Sequence, residues 1–162
     1  MFDPNADPLA DPELAALVAR KLIKAADHPW ELEQPPGWDP LEATERFLRL
    51  ANDVNAIVGA ECEIELWPMI KLATYHGEIV LPKSALKDDG YAFIRVSNFG
   101  NLITVLNDDS VVRPEFLERL KRRFERSHYK YIPSMFLRRA YDGHHRGARQ
   151  FGLWADRLFG YL

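Results

Sequence analysis

YAFIRVSNFGNLITVL, residues 91–106, is the stretch from which the fold is read. Two runs rich in β-branched and aromatic residues flank Asn98-Phe99-Gly100-Asn101, and Gly100 can take the left-handed conformation that a tight hairpin loop needs. The pattern predicts two strands joined by a short turn. So short a link makes them antiparallel, because a parallel crossover needs a dozen residues or more.

Working upstream, the alternating period continues. Cys62, Ile64 and Leu66 point one way and Glu61, Glu63 and Glu65 the other, as in a strand with one solvated face. MIKLATY and EIVLP, on either side of His76-Gly77, read as another hairpin, and KSALKDDG as a helical turn closed by glycine. Further upstream, Asp11-Pro12 and Asp39-Pro40 each set a capping carboxylate before a proline that fits the first helical position. The helices they open carry apolar stripes at Leu14, Leu17, Val18, Leu22 and Ala25, and at Leu41, Phe47, Leu48, Ala51 and Val54.

Downstream of the hairpin the helical period returns. Pro114 opens a helix to about residue 127 with Phe116, Leu117, Leu120 and Phe124 on its buried side. SHYKYIP reads as an extended connection, SMFLRRAY as a brief helix, and FGLWADRLFGYL as an aromatic helix or turn that docks on the body. Grouped strands with segregated helices define the α+β class: an antiparallel sheet of four to five strands, with two N-terminal helices and the C-terminal helices packed on it. Residues 1–10, with their repeated Asp-Pro, read as a flexible tail, and 11–162 as one domain.

With 162 residues, of which 12% are aromatic, the chain can bury a core without disulfides or a structural metal. Its lone Cys62 excludes a disulfide framework and points to a reducing compartment. The acidic start has no signal-peptide character, and no run approaches the ~20 apolar residues of a membrane span. The expected location is cytoplasmic. The net charge of -3 conceals a split, because residues 1–65 hold 14 acids and 5 bases whereas residues 111–149 hold 4 and 11. Either the basic segment binds something acidic, or the two parts attract each other within one domain.

Motifs that would name a reaction are missing. Adjacent His144 and His145 diverge on any regular backbone, and neither HExxH nor paired CxxC accompanies them, so no metal and no cofactor is expected. Gly143-His-His-Arg-Gly147 lacks the Lys-Ser/Thr of a P-loop and the preceding strand of a dinucleotide fingerprint, leaving at most an unspecific anion pocket with Arg146 and Arg149. The plain reading, a glycine-bearing polar turn, is preferred. Glu61, Glu63 and Glu65 lie about 6–7 Å apart along a strand, too far to close a coordination sphere. No serine stands in a GxSxG elbow, and Cys62 falls inside a strand pattern rather than at a helix start.

Lys121, Arg122, Arg123 and Arg126, on the helix over 113–126, form a basic patch with aromatics nearby. Against nucleic-acid binding stand the acidic whole and the spacing Glu115/Arg119 and Glu118/Arg122, which suits an ordinary solvated helix face. Tryptophans are core fillers by default, but Trp38 in the PPGW loop is as well placed to anchor an interface.

YAFIRVSNFGNLITVL, HYKYIPSMFLRRAYDG and the closing LWADRLFGYL resemble a group of small uncharacterised bacterial proteins. In that group an RxSxFGxLxT hairpin precedes a YxYIP segment, a Tyr-Asp-Gly turn and a final Trp-x-Arg-Phe-Phe-x-Tyr-Leu. Arg95, Ser97, Phe99, Gly100, Tyr131, Ile132, Pro133, Tyr141, Asp142, Gly143, Trp154, Arg157, Phe159 and Tyr161 carry the resemblance, which covers about the second half of the chain. Arg138-Arg139-Ala140 and Gly160 depart from it, where acidic residues are usual. The resemblance implies an architecture, with Tyr-Asp-Gly as a structural landmark, and no reaction.

These readings favour a module that binds another protein, with toxin neutralisation as one form of that role. The alternative is a small hydrolase whose pocket gathers Asp142, His144, His145 and Arg146, and the third is nucleic-acid binding through the basic helix.

Overall fold

The computed structural model describes residues 11–107, 109–147 and 150–162. The expected tail over residues 1–10 and the basic residue Arg149 lie outside these described residues. Both Asp-Pro signals act as the sequence predicts. Asp11 accepts from the backbone N–H of Glu13 and Leu14 to cap α1 (Pro12–Ala26), and Asp39 accepts from those of Leu41 and Glu42 to cap α2 (Pro40–Val58). The chain then runs through β1 (Ile64–Leu66), β2 (Tyr75–Val80), β3 (Phe93–Ser97), β4 (Leu102–Leu106), α3 (Pro114–Arg126), β5 (Lys130–Tyr131), α4 (Ser134–Leu137) and α5 (Trp154–Phe159). The class is α+β, as the sequence predicts.

The five strands form one sheet in the order β1-β2-β3-β4-β5. Alternation along the strands gives it one apolar face and one on which Leu102 and Leu106 stand beside Thr104, Ser97 and the Glu78–Arg95 ion pair. Ile79, Ile94, Val96, Ile103 and Val105 pack with Phe47, Leu50 and Val54 of α2 and with Leu120 and Phe124 of α3. On the other side, Phe99 and Leu102 join Ala19 and Ile23 of α1, Leu137 of α4, and Trp154, Leu158 and Phe159 of α5. Each fully buried side chain of this size contributes about 1.5–3 kcal/mol, so the sheet is clamped from both sides.

Four expectations are corrected. The sheet is mixed: β5 pairs parallel with β4 through Leu102↔Lys130 and Ile103↔Tyr131, whereas the sequence suggested only an extended link there. That pairing becomes possible because α3 serves as the crossover that returns the chain alongside β4.

Nor is His76-Gly77 a turn, since β2 runs straight through it and pairs antiparallel with β1, Leu66 opposite Gly77. The reversal lies earlier, between residues 67 and 74. Gly77 is required because a Cβ there would collide with the Phe47 ring of α2. Opposite β3 the register shifts between Tyr75 and Gly77, a bulge that sets the direction of His76.

The helix stripes also differ. Ala15, Ala19 and Ile23 are the buried residues of α1, leaving Leu14, Leu17 and Val18 exposed, and Leu41 and Leu48 of α2 are exposed as well. Finally, Glu118 pairs with Lys121 at 3.2 Å rather than with Arg122.

Candidate functional site

The Tyr141 to Gly147 turn holds the polar residues that the sequence singled out, and most of their bonds are spent on the fold. Asp142 Oδ1 accepts from the Trp154 indole N–H at 3.0 Å, while Oδ2 lies 3.7 Å from Arg20 and 3.8 Å from Lys24 of α1. The indole bond, reinforced by Lys24 and Arg20, holds this carboxyl below the ordinary carboxylate range. His144 is exposed and donates its backbone N–H to Asp27 Oδ2. His145 is buried, accepts from Gly147 N–H at Nδ1 and meets the Phe151 ring edge-on. Arg146 lies over the Trp30 ring, 3.8 Å from its centroid. Among the described residues these four side chains are not gathered in one cleft, and Asp142 lines a small one beside Trp154 and α1.

Beneath the turn sits a buried ion pair that sequence reasoning did not anticipate as a unit. Asp27 Oδ1 accepts from Arg157 Nε at 2.8 Å, with both side chains fully buried. The rest of the guanidinium donates to the carbonyls of His28, Glu31 and Leu32. Asp27 Oδ2 accepts from the Tyr141 hydroxyl at 2.6 Å, and that hydroxyl in turn accepts from His145 N–H. A side chain at Gly143 would collide with the Asp27 carboxylate and Tyr141, so Tyr-Asp-Gly is a joint tying the end of α1 to α5. Arg157 was visible as part of the resemblance. Asp27 had no local signal beyond closing a helix.

On α3, Lys121 pairs with Glu118 and lies over Tyr131, and Arg123 pairs with Asp53 of α2 at 3.5 Å. Arg122 and Arg126 remain exposed. Part of the charge split therefore closes on itself. Asp53–Arg123 joins an acid of the acidic segment to a base of the basic one, and Asp142 with Arg20 and Lys24 joins the same two segments with the signs exchanged.

Trp38 occupies a different place. It lines a cleft of about 300 Å³ with Glu42, Ala43 and Arg46 of α2, His76 of the β2 bulge, Asn98 and Asn101 of the hairpin, and Tyr129. Asn98 donates through Nδ2 to the carbonyls of Glu33 and Ala73, which leaves Oδ1 to face His76 Nδ1 at 3.0 Å. An amide oxygen cannot donate, so Nδ1 carries the proton and Nε2 is left with a lone pair. Burial lowers the His76 pKa to about 4; the Asn98 bond opposes that shift and the nearby Arg46 charge adds to it. At neutral pH the ring is uncharged. Trp38 leans on it with centroids 5.7 Å apart.

A third feature is an exposed apolar surface around the 67–74 reversal. Met69 and Leu72 are 74% and 66% exposed, although Ile70, Ala73 and Tyr75 behind them form a small buried cluster. The C-terminus is pinned alongside, with Leu162 N–H donating to Leu72 O at 2.7 Å and Tyr161 bridged to Ala73. Leu72 has φ 49, in the left-handed region that a branched side chain disfavours.

No family model, curated protein or solved structure matches the chain. Fold and geometry therefore define a class, a mixed-sheet α+β domain with helices on both faces. Among the described residues no helix is long and apolar enough to cross a membrane, and no group of three or more His, Cys, Asp or Glu is placed to hold a metal ion.

Proposed function

We propose that the protein binds another protein through the surface formed by Met69, Leu72, Tyr161 and Leu162. The observation that carries this reading is Leu72. A left-handed conformation costs a non-glycine residue about 1–2 kcal/mol, and here the strain delivers a large apolar side chain to solvent instead of the core. Glycine or asparagine would hold the same backbone more cheaply. The surface is also fixed in advance, because Thr74 N–H and its hydroxyl both donate to Gly160 O and Gly160 N–H returns a bond to the Thr74 hydroxyl. A pre-ordered patch loses less entropy on association.

Exposed Glu61, Glu63 and Glu65 border the loop on its N-terminal side and favour a partner with a basic rim. A toxin that acts on nucleic acid carries such a face, so neutralisation of a toxin is the form of binding proposed. The test is a pull-down from host lysate with the native chain and with Leu72→Gly. The native chain should retain a specific partner, and the variant should lose it while becoming about 1 kcal/mol more stable through relief of the strained φ. Equal retention by both chains, or no partner at all alongside turnover in an activity screen, overturns the reading.

A further inference from the structure

Three polar groups around the Trp38 cleft have hydrogen-bonding capacity that the fold does not use. His76 is 6% exposed, yet its Nε2 lone pair has no partner among the described residues. Arg46 donates to Asn101 Oδ1 at 3.1 Å and, more weakly, to Ser127 O at 3.4 Å, but no carboxylate among the described residues lies within ion-pair distance of it. Tyr129, also 6% exposed and lining the cleft, has a buried hydroxyl with no hydrogen bond. A buried polar group left unpaired costs about 1–3 kcal/mol. By contrast, Asn98 is held by three bonds whose effect is to fix the tautomer of His76. Such a shell positions a ring to recognise something outside the chain.

The chemistry facing the cleft is one fixed positive fork, one obligate acceptor and a flat indole wall. We infer that the cleft binds a small carboxylate bearing a hydroxyl or N–H donor, its carboxylate on Arg46, its donor on His76 Nε2 and its body against Trp38. Guanidinium matches carboxylate geometry in two parallel bonds. Asp39 and Glu42 border the same cleft, and Asp39 Oδ1 is already engaged in capping α2. With Arg46 the one cation among the described residues of the lining, these two carboxylates disfavour a phosphate ester or a polyanion, and a single carboxylate is held through its direct bonds to the guanidinium. A volume of about 300 Å³ is at the small end for ligand sites and suits a body of one ring or less. This site is separate from the Leu72 surface and stands without the protein-binding proposal.

The test follows the His76 ring nitrogens by NMR during titration with 3-phenyllactate, 3-phenylpropionate and glycerol 3-phosphate. Phenyllactate should shift the Nε2 resonance saturably. Phenylpropionate, which lacks the hydroxyl, should bind about tenfold more weakly, because a site built to bond a hydroxyl rejects the analogue without it. Arg46→Gln should weaken phenyllactate by about tenfold or more, and Arg146→Gln on the distant turn should leave it unchanged. If Arg46→Gln does not fold, the two probes on the native chain decide. The absence of a saturable shift with phenyllactate, equal affinity for phenylpropionate, or tighter binding of glycerol 3-phosphate overturns the inference.

Discussion

The two histidine-bearing regions of the molecule, the 141–147 turn and the His76 bulge, differ in what their polar groups are doing. In the turn, Asp142 bonds to Trp154 of α5 and the Tyr141 hydroxyl to Asp27 at the end of α1, while His145 accepts from Gly147 within the turn and keeps a buried Nε2 with no partner among the described residues. At the bulge, Asn98 spends its bonds to aim His76, and His76 leaves its second nitrogen open to the cleft. The cluster of polar residues adjacent in sequence is tied into the fold through Tyr141 and Asp142, with His144 and Arg146 exposed. One assembled from residues 38, 46, 76 and 98 keeps its chemistry in reserve.

That contrast can be broken most forcefully at Arg157. Arg157→Met should leave Asp27 charged and unpaired in the core and cost about 3–5 kcal/mol, read as a lowered denaturant midpoint. A loss under 1 kcal/mol would mean that the turn is not the joint described. The next effect belongs to His76. With the His76 pKa at about 4 in the folded state against the ordinary histidine value of 6.5, the unfolded chain takes up a proton first as pH falls. Stability should be flat above pH 6.5, decline by roughly 3 kcal/mol between pH 6.5 and 4, and level off below that. His76→Gln should flatten that part of the curve.

Gly143→Ala comes third, with a cost of about 1–3 kcal/mol from forcing a methyl against Asp27 and Tyr141, measured by thermal unfolding. Smallest of all should be Arg46→Gln, which loses two exposed or long hydrogen bonds and the stacking of the guanidinium over the Tyr129 ring, at a cost of about 1 kcal/mol. Turn variants should therefore alter stability and cleft variants spare it. A strongly destabilised Arg46→Gln would erase the distinction.

Features set by near neighbours in the chain were legible. Asp11-Pro12 and Asp39-Pro40 cap their helices because a carboxylate two residues before an N–H needs no tertiary help. The 91–106 hairpin is local in the same way, and Gly100 takes its left-handed place at φ 63. What failed needed the third dimension. Leu14, Leu17 and Val18 outweigh Ala15, Ala19 and Ile23 in hydrophobicity, yet it is Ala19 and Ile23 that meet Leu102, Leu137 and Trp154, partners remote in the chain. His76-Gly77 looked like a turn because glycine usually marks one, whereas this glycine makes way for Phe47. Trp38 was legible as a candidate only through its odd setting after Pro-Pro-Gly. Its partners Arg46, His76 and Asn98 gave no signal, since nothing local connects a helix arginine, a strand histidine and a hairpin asparagine.

The most direct test of the contrast is the ring-nitrogen NMR spectrum of His76 as pH falls from 8 to 3.5. We expect Nδ1 to carry the proton and Nε2 to stay unprotonated until about pH 4. A proton on Nε2 at neutral pH, or titration near 6.5, would show that Asn98 does not hold the ring as an acceptor and would contradict the account.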